Sequence, residues 1–372
     1  MSPRGEVVTL ALCGDVMLGR GIDQILPRPG DPTLREASIV DARAYVSLAE
    51  AANGPIPHPV DVSWPWGDVL EILDDAAPDV RIVNLETSIT RSDDFAEAKA
   101  VHYRMSPANL ASLAVAQPDV CTLANNHVLD FGAGGLAETL DILAVAGLRA
   151  AGAGRDLDEA RQPAVVPLEG DGRVLVFSVG MGSSGIPTHW AASRERAGVA
   201  LVPEASQASA EQVVEQIDQH RRPGDLVVVS VHMGSNWGYE VPRGQIRFAH
   251  TLIDGGVHVV HGHSSHHPRP IEVYRDRTIL YGCGDLINDY EGITGQDEFR
   301  SDLRLLYLVS LDPTSGELVA ARMAPLRTRR LRLEHASQAD AEWLRTVLDR
   351  ACHSFGPRLT LADDGALRLQ PP

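Results

Sequence analysis

The sequence predicts an α/β protein in which two mixed β-sheets face each other and helices cover both outer surfaces. Apolar, β-branched runs alternate with helical patterns through the first two thirds of the chain, which indicates βαβ units and parallel strands. Hairpin patterns follow later, and they add antiparallel strands. Because 44% of the 372 residues are apolar, the chain has ample material for such a core.

The parallel part of the predicted fold comes from strands and helices in regular succession. Strands are expected at 7–12, 79–85, 120–123, 226–231 and 257–260, and helices at 67–73, 107–116, 133–146, 210–221 and 245–253. Ser106 followed by Pro107 is a typical helix start, and Gly147 is a typical helix end.

Turn signals place three hairpins, and the last segment reads differently from the rest. The predicted hairpin strands are 164–168 with 174–179, 271–274 with 278–281, and 303–311 with 318–323. We therefore expect one large domain over residues 1–335. Residues 336–372 are expected to form a helical appendage, with an amphipathic helix at 339–351 and a proline-rich tail.

Composition excludes several classes of protein. Four cysteines lie far apart without a C-x-x-C pair, so neither a disulfide framework nor a zinc knuckle is expected. With 33 Lys and Arg against 50 Asp and Glu, the formal charge of −17 disfavours nucleic acid as a partner. The sequence has neither a signal-peptide pattern nor a run of about 18 apolar residues. These features predict a cytoplasmic protein without a membrane span.

Polar side chains follow five of the predicted strands, where open α/β sheets gather their ligand sites. They are Asp15; Asn84 and Glu86; Asn125, Asn126 and His127, with Asp130 close behind; His232; and the cluster of His261, His263, His266 and His267. Each position alone fits an ordinary turn, a hydrogen-bonded loop or a buried imidazole. Together they combine the carboxylate, amide and imidazole groups that divalent cations bind. The sequence therefore predicts a metal site.

These motifs resemble those of calcineurin-like metallophosphoesterases, and in particular the CapA-type branch linked to poly-γ-glutamate and capsule biosynthesis. The similar segments, between residues 7 and 291, are GDVMLGRGID, NLETSI, LANNHVLDFG, VHMGSNWGYE, GHSSHHPRPIEVY and ILYGCGDLINDYEG. The resemblance implies the calcineurin-like fold, an α/β/β/α sandwich.

The resemblance also implies roles for individual residues. His127 would be the catalytic imidazole, assisted by Asp130, while the metal ligands would be Asp15, Asn84, Glu86, Asn126, His232, His263 and His266. The metal would be divalent Mn, Zn, Fe or Mg. Asp15 lacks the Asp-x-His histidine of ordinary members, so the choice between one ion and two stays open. The unusual Gly-His-Ser-Ser-His spacing leaves open which histidines of 261–267 bind the metal.

Three functional hypotheses follow. The first is a metal-dependent hydrolase or amide-forming enzyme acting on an amide-type linkage of a γ-glutamyl or related carboxylate-rich substrate. That substrate would be a small molecule or an acidic polymer. The second is a metal-dependent phosphoester hydrolase, and the third is a non-catalytic, metal-bearing scaffold for acidic polymer or a biosynthetic partner.

Overall fold

The computed structural model describes residues 7–97 and 99–370. Its strands are β1 (Val8–Val16), β2 (Val80–Leu85), β3 (Ser88–Ile89), β4 (Arg104–Met105), β5 (Val120–Thr122), β6 (Arg149–Ala151), β7 (Ala153–Gly154), β8 (Ala164–Pro167), β9 (Arg173–Met181), β10 (Gly198–Val199), β11 (Leu201–Val202), β12 (Asp225–His232), β13 (Val259–His263), β14 (Ile271–Tyr274), β15 (Arg277–Leu280), β16 (Asp285–Ile287), β17 (Leu303–Leu311), β18 (Leu318–Arg329), β19 (Arg332–His335), β20 (Arg358–Leu361) and β21 (Leu367–Gln370). Its helices are α1 (Gly21–Ile25), α2 (Arg43–Asn53), α3 (Val69–Ala76), α4 (Ala111–Ala114), α5 (Gly132–Val145), α6 (Leu157–Arg161), α7 (Gln207–Asp218), α8 (Arg243–Asp254) and α9 (Gln338–Cys352).

The strands form two large mixed sheets. The first sheet has the order β20-β21-β18-β17-β1-β2-β5-β6, with β16 also paired to β1 and β19 to β18. The second has the order β11-β9-β12-β13-β15-β14, with β8 paired to β9. In the first sheet one half is parallel, from β1 through β2 and β5 to β6, and the other half, from β17 to β20, is antiparallel. In the second sheet the strands from β11 to β15 are parallel, and β8 and β14 add antiparallel strands.

Alternating side chains assign each sheet an inner and an outer face. Leu10 and Leu12 of β1 belong to the same buried cluster as Val228 of β12, and this cluster fills the space between the sheets. Ala11 packs in a second cluster with α2, α3 and α5, whereas Val229 packs in a third with α7 and α8. Helices therefore cover both outer faces, and the predicted α/β/β/α architecture is confirmed.

Strand register brings the predicted site residues together. In the first sheet Asp15 lies opposite Asn84 of β2 on one side and Asp285 of β16 on the other. In the second sheet His232 of β12 lies opposite His263 of β13. Asp15, Asn84, His232 and His263 lie at or near the carboxyl ends of parallel strands, and Asp285 begins β16 beside Asp15, so one edge of each sheet contributes to the same site.

Some elements differ from the predictions. The predicted helix at 107–116 divides into a 3-10 turn at Pro107–Asn109 and the short α4, while α2, with a narrow buried stripe, was not predicted. The predicted proline-rich tail is not what the structure shows at Arg358–Leu361 and Leu367–Gln370. These two segments form a hairpin on the edge of the first sheet beside β18. The boundary at 335/336 stays a prediction. Over the described ranges, no helix combines the length and apolar character needed to cross a membrane.

We predict that Gly14→Ala destabilises the protein, because a Cβ at Gly14 would collide with the carbonyl oxygen of Gly284. That carbonyl accepts the Asp15 N–H at 3.0 Å, so β1 and the loop before β16 cannot separate without loss of the bond. We expect a loss of about 1–3 kcal/mol in urea unfolding. Gly134→Ala, in α5 with open space around it, is the matched control and should be neutral or slightly stabilising. Equal stabilities for the two variants would contradict this packing.

Candidate metal centre

Asp15 is the buried carboxylate at the centre of the site. Its Oδ1 accepts a hydrogen bond from Asn84 Nδ2 at 2.7 Å, and its Oδ2 accepts one from the Ser264 N–H at 3.2 Å. Ser264 has a φ of 96°, a left-handed conformation that is strained for serine. That conformation lies between the two histidines of the Gly-His-Ser-Ser-His motif and allows its N–H to reach Asp15.

Asn84, predicted as a metal ligand, turns its amide nitrogen towards the carboxylates of the site. Its Nδ2 also lies 3.3 Å from Glu86 Oε2, whereas its Oδ1 accepts a hydrogen bond from Asn125 Nδ2 at 3.1 Å. Asn125 is oriented in turn, because its Oδ1 accepts the His127 N–H at 3.1 Å. The Asn84 group that faces the carboxylates is therefore an amide N–H donor, which does not coordinate cations.

Two imidazoles approach Asp15 from the second sheet. His232 Nδ1 and His263 Nδ1 are 2.7 Å apart, and His263 Nδ1 is 3.8 Å from Asp15 Oδ1. His232 Nε2 lies 3.0 Å from Asn126 Oδ1 and 3.7 Å from Glu86 Oε1. Asp15, His232 and His263 thus present ligand atoms within 4.8 Å of one another, with the Asn126 amide oxygen and Glu86 beside them.

The hydrogen-bond network assigns the tautomer of His263. His261 Nε2 donates to the Cys13 carbonyl at 2.8 Å, and because burial lowers the pKa of His261 to about 4, its Nδ1 is a bare acceptor. The Ser230 hydroxyl donates to Thr122 Oγ1 at 3.2 Å, so towards His263 it can only accept, from Nε2 at 2.7 Å. His263 Nδ1 is then unprotonated and available to a cation, as is typical of histidine ligands fixed by a second partner.

His266 and Asp285 form a second group of donors around Asp15. His266 Nδ1 lies 2.9 Å from Asp285 Oδ1, and the two residues and Asp15 present ligand atoms within 4.8 Å of one another. Asp285 Oδ2 also accepts a hydrogen bond from Asn288 Nδ2 at 2.6 Å. In contrast, His267 donates to the Pro268 carbonyl and accepts the Gly238 N–H. Of the four clustered histidines, His263 and His266 face the site.

His127 and Asp130 form a dyad next to Glu86. His127 Nδ1 lies 2.7 Å from Asp130 Oδ2, which also accepts the Tyr103 N–H at 2.7 Å. Burial alone raises the pKa of Asp130, but His127 and Lys99 outweigh burial and lower it, so this carboxylate is ionised. It therefore holds the proton on His127 Nδ1, and His127 Nε2 points to the site, 3.8 Å from Glu86 Oε1.

Lys99 anchors the dyad. Its buried ammonium group contacts Asp130 Oδ1 and the Asn126 carbonyl oxygen, and it lies 2.9 Å from His127 Nδ1. It also sits over the Trp190 ring, 5.1 Å from the ring centre. This cation therefore compensates the charge of Asp130 and restrains the backbone that carries Asn126.

The electrostatics of the cluster fit a bound divalent cation. Burial, followed by repulsion from Asp285, raises the pKa of Asp15 to about 7, and burial with repulsion from Asp15 raises the pKa of Glu86 well above its usual range. Burial lowers the pKa of both His232 and His263, so both imidazoles are neutral at pH 7. Buried carboxylates in need of positive charge, beside neutral imidazoles and an amide oxygen, are a suitable ligand set for a hard or borderline ion.

The structure therefore brings together Asp15, Asn84, Glu86, Asn126, His127, Asp130, His232, His263 and His266. The sequence interpretation missed Asp285 and Lys99. Asp285 had a usable signal, since it follows the strand β15 in a Gly-Asp dipeptide like that of Gly14 and Asp15. Lys99 lies in an irregular segment without any recognisable motif.

Similar proteins are known from bacteria. The chain is 53% identical over 372 residues to a Mycobacterium tuberculosis protein named probable polyglutamine synthesis accessory protein, covering 100% of this chain and 98% of that protein. It is 24% identical over 285 residues to the capsule biosynthesis protein CapA of Bacillus anthracis, covering 76% of this chain and 60% of that protein.

A solved structure described as a novel phosphatase from Mycoplasma pneumoniae aligns with a TM-score of 0.45 and 12% identity, over 86% of this chain and 94% of that chain. The sequence also matches the family described as bacterial capsule synthesis protein PGA_cap over residues 9–290, which include every donor of the candidate metal centre. This protein therefore belongs to the PGA_cap family of bacterial capsule synthesis proteins.

Proposed function

We propose that this protein is a divalent-metal-dependent accessory enzyme of polyglutamate or capsule synthesis. It would hydrolyse or form an amide-type linkage of a γ-glutamyl or related carboxylate-rich substrate. The observation that carries the proposal is the convergence of buried metal-binding groups around Asp15 with the His127 and Asp130 dyad beside them. The names of the relatives, which refer to polyglutamine synthesis and capsule biosynthesis, supply the substrate context.

The donors suited to hold the cation are Asp15, Glu86, Asn126, His232 and His263, with His266 and Asp285 on the other side of Asp15. The mixture of oxygen and nitrogen donors favours Mn, Fe or Zn over Mg, which binds mainly oxygen. A divalent cation there would polarise a carbonyl or phosphoryl oxygen and make water more acidic.

The His127 imidazole is the proposed proton-transfer group, and the neighbouring side chains orient it. Burial lowers the pKa of His127 to about 4, so the imidazole is neutral at pH 7 with its proton on Nδ1. Its bare Nε2 can accept a proton at the site and return it to a leaving group. Asp130 and Lys99 keep the ring in this orientation, and Asn84 keeps Asp15 and Glu86 at their separation.

Phosphoester hydrolysis is the second candidate, favoured by one observation. Asp15 belongs to two groups of donors, one with His232 and His263 and one with His266 and Asp285. Two such groups on one carboxylate suit a pair of cations, and two-metal sites commonly catalyse phosphoryl transfer. His266 and Asp285 thus offset the absent Asp-x-His histidine.

One assay panel separates these candidates. The metal-loaded protein is incubated with γ-linked glutamate oligomers and, separately, with an aryl phosphate and an aryl phosphodiester, and products are measured by mass spectrometry. Change in oligomer length supports the amide proposal, and phosphate release supports the second candidate. A metal-loaded protein that is inert in every assay would support the scaffold hypothesis.

We predict that His127→Gln and His232→Gln have different defects. His127→Gln should lose about 10²–10⁴-fold in turnover because an acid–base group is removed, while its metal content stays near that of the wild type. His232→Gln should lose metal, since the imidazole is a proposed ligand. Elemental analysis and turnover are measured on both variants, with the exposed His353→Gln as control. Equal loss of metal in the two variants would make His127 a ligand instead.

We predict that Glu86→Gln stabilises the metal-free protein at high pH. Because burial raises the pKa of Glu86 in the folded state, its favourable contribution is complete below about 4.5 and is lost as the pH rises. A glutamine keeps the hydrogen bonds of the protonated acid without the charge. We expect Glu86→Gln to be more stable than the wild type at pH 8, by a margin that shrinks towards pH 4.

Urea unfolding in EDTA at pH 5 and pH 8 measures this difference, with the exposed Glu215→Gln of α7 as the matched control. Added Mn²⁺ should stabilise the wild type more than Glu86→Gln. If the two proteins have the same stability at pH 8 without metal, then the buried charge of Glu86 does not destabilise the metal-free protein, and a cation has no such destabilisation to offset.

A further inference from the structure

The solvent-exposed side of the candidate metal centre is the side on which His266 and His127 lie. The His266 side chain is 12% exposed and that of His127 is 9% exposed. Other proposed ligands have side chains that are at most 2% exposed: Asp15, Glu86, His232 and His263. A substrate therefore approaches the centre past His266 and His127.

Trp237 lies beside His266 at this opening. The two ring centres are 5.5 Å apart, with the ring planes tilted by 58°, and Trp237 is half-buried. The indole also stacks on His267 at 5.9 Å, and the Phe299 ring lies 5.3 Å from it. Three rings thus hold the indole next to the metal centre, while part of its surface stays in contact with solvent.

Hydrogen bonds fix the loop that carries Trp237. The Asn236 carbonyl accepts the His266 N–H at 2.9 Å, and the Gly238 N–H donates to His267 Nε2 at 3.0 Å. Both neighbours of Trp237 in the chain are therefore bonded to the segment that carries His266. The indole consequently keeps its position relative to a proposed metal ligand.

The indole N–H of Trp237 is available to a ligand. Trp64 and Trp66 donate their indole N–H groups to the carbonyls of Arg330 and Ser112, at 3.0 and 2.6 Å. Within the part of the chain that the structure describes, Trp237 takes part in hydrogen bonding only through its own carbonyl oxygen. A tryptophan combines an apolar ring with a single donor. It therefore suits a ligand in which an acceptor oxygen adjoins an apolar stem.

Exposed acids near this ring decide which acceptor fits. Asp297 and Glu298 directly precede Phe299 in a 3-10 turn, and Glu240 follows Trp237 in the same loop. These acids would repel a carboxylate placed against the indole, since like charges at short range disfavour each other. A neutral amide oxygen avoids that repulsion and still accepts the N–H.

We infer that Trp237 is a substrate-contacting residue that recognises an amide group next to the reacting linkage. Its N–H donates to the amide carbonyl oxygen, and its ring packs on the adjoining methylene groups. The inference rests on the proposed function, because a γ-linked glutamate chain has an amide followed by methylene groups in every repeat. Trp237 would thus make the site select amide-linked acidic chains over acidic polymers that lack amides.

The test is calorimetric titration of the metal-loaded protein with a γ-linked glutamate oligomer and with a polyacrylate of similar charge, which has no amide. Trp237→Phe keeps an apolar ring and removes the N–H. It should raise the Kd for the oligomer about two- to tenfold, the loss of one neutral hydrogen bond, and leave the Kd for polyacrylate unchanged. Trp343→Phe is the matched control, because Trp343 is also half-buried but lies on α9.

Unchanged oligomer affinity in Trp237→Phe would overturn the inference, as would an equal loss of affinity for both polymers or a wild type that does not bind the oligomer. Metal content is measured in parallel by elemental analysis. A lower content in Trp237→Phe would mean that the ring only holds His266 in place, which also overturns the inference. Turnover is read separately. An oligomer that binds through Trp237 but is not converted leaves the contact standing while the proposed activity fails, and conversion without any Trp237 effect has the opposite meaning.

Discussion

The burial of negative charge at Asp15 is the constraint on which the rest of the site depends. Asp15, Glu86 and Asp285 are each at most 2% exposed, and the first two have raised pKa values because burial and mutual repulsion disfavour their ionised forms. Without a cation these carboxylates hold protons or destabilise the fold. As proposed ligands of a divalent cation, the same groups would couple metal binding to folding at this point.

Backbone pairing brings this charge together from segments that are distant in sequence. Strand β1 lies between β2 and β16, and this register aligns Asn84, Asp15 and Asp285 in one row, while β12 and β13 align His232 with His263 in the facing sheet. The close approach of Gly14 to the loop before β16 maintains the first row. The four-layer fold thus holds two rows of proposed ligands against each other.

Much of this arrangement could be predicted because it follows from short sequence patterns at the ends of strands. Strand-end positions point to Asp15, Glu86, Asn126 and His232 without knowledge of tertiary contacts. Crossover helices followed by late hairpins suggest two facing sheets, and the four-layer architecture was implied by the family resemblance. The direction in which an amide points depends on its neighbours, so the role of Asn84 required the structure. Lys99 lies in an irregular segment, so no helix or strand periodicity predicts that its side chain contacts the dyad. The hairpin of β20 and β21 was missed because a short edge pair carries little apolar pattern.

The most direct test of this account is an anomalous-scattering experiment on crystals of the Mn²⁺-saturated protein. We predict a strong anomalous peak at coordination distance from Asp15 and His263, with His232 no longer hydrogen-bonded to His263. A second peak between Asp15, His266 and Asp285 would add the two-ion arrangement. An ordered site without any peak at Asp15, in protein saturated with Mn²⁺, would contradict the central claim that these buried residues form a metal centre.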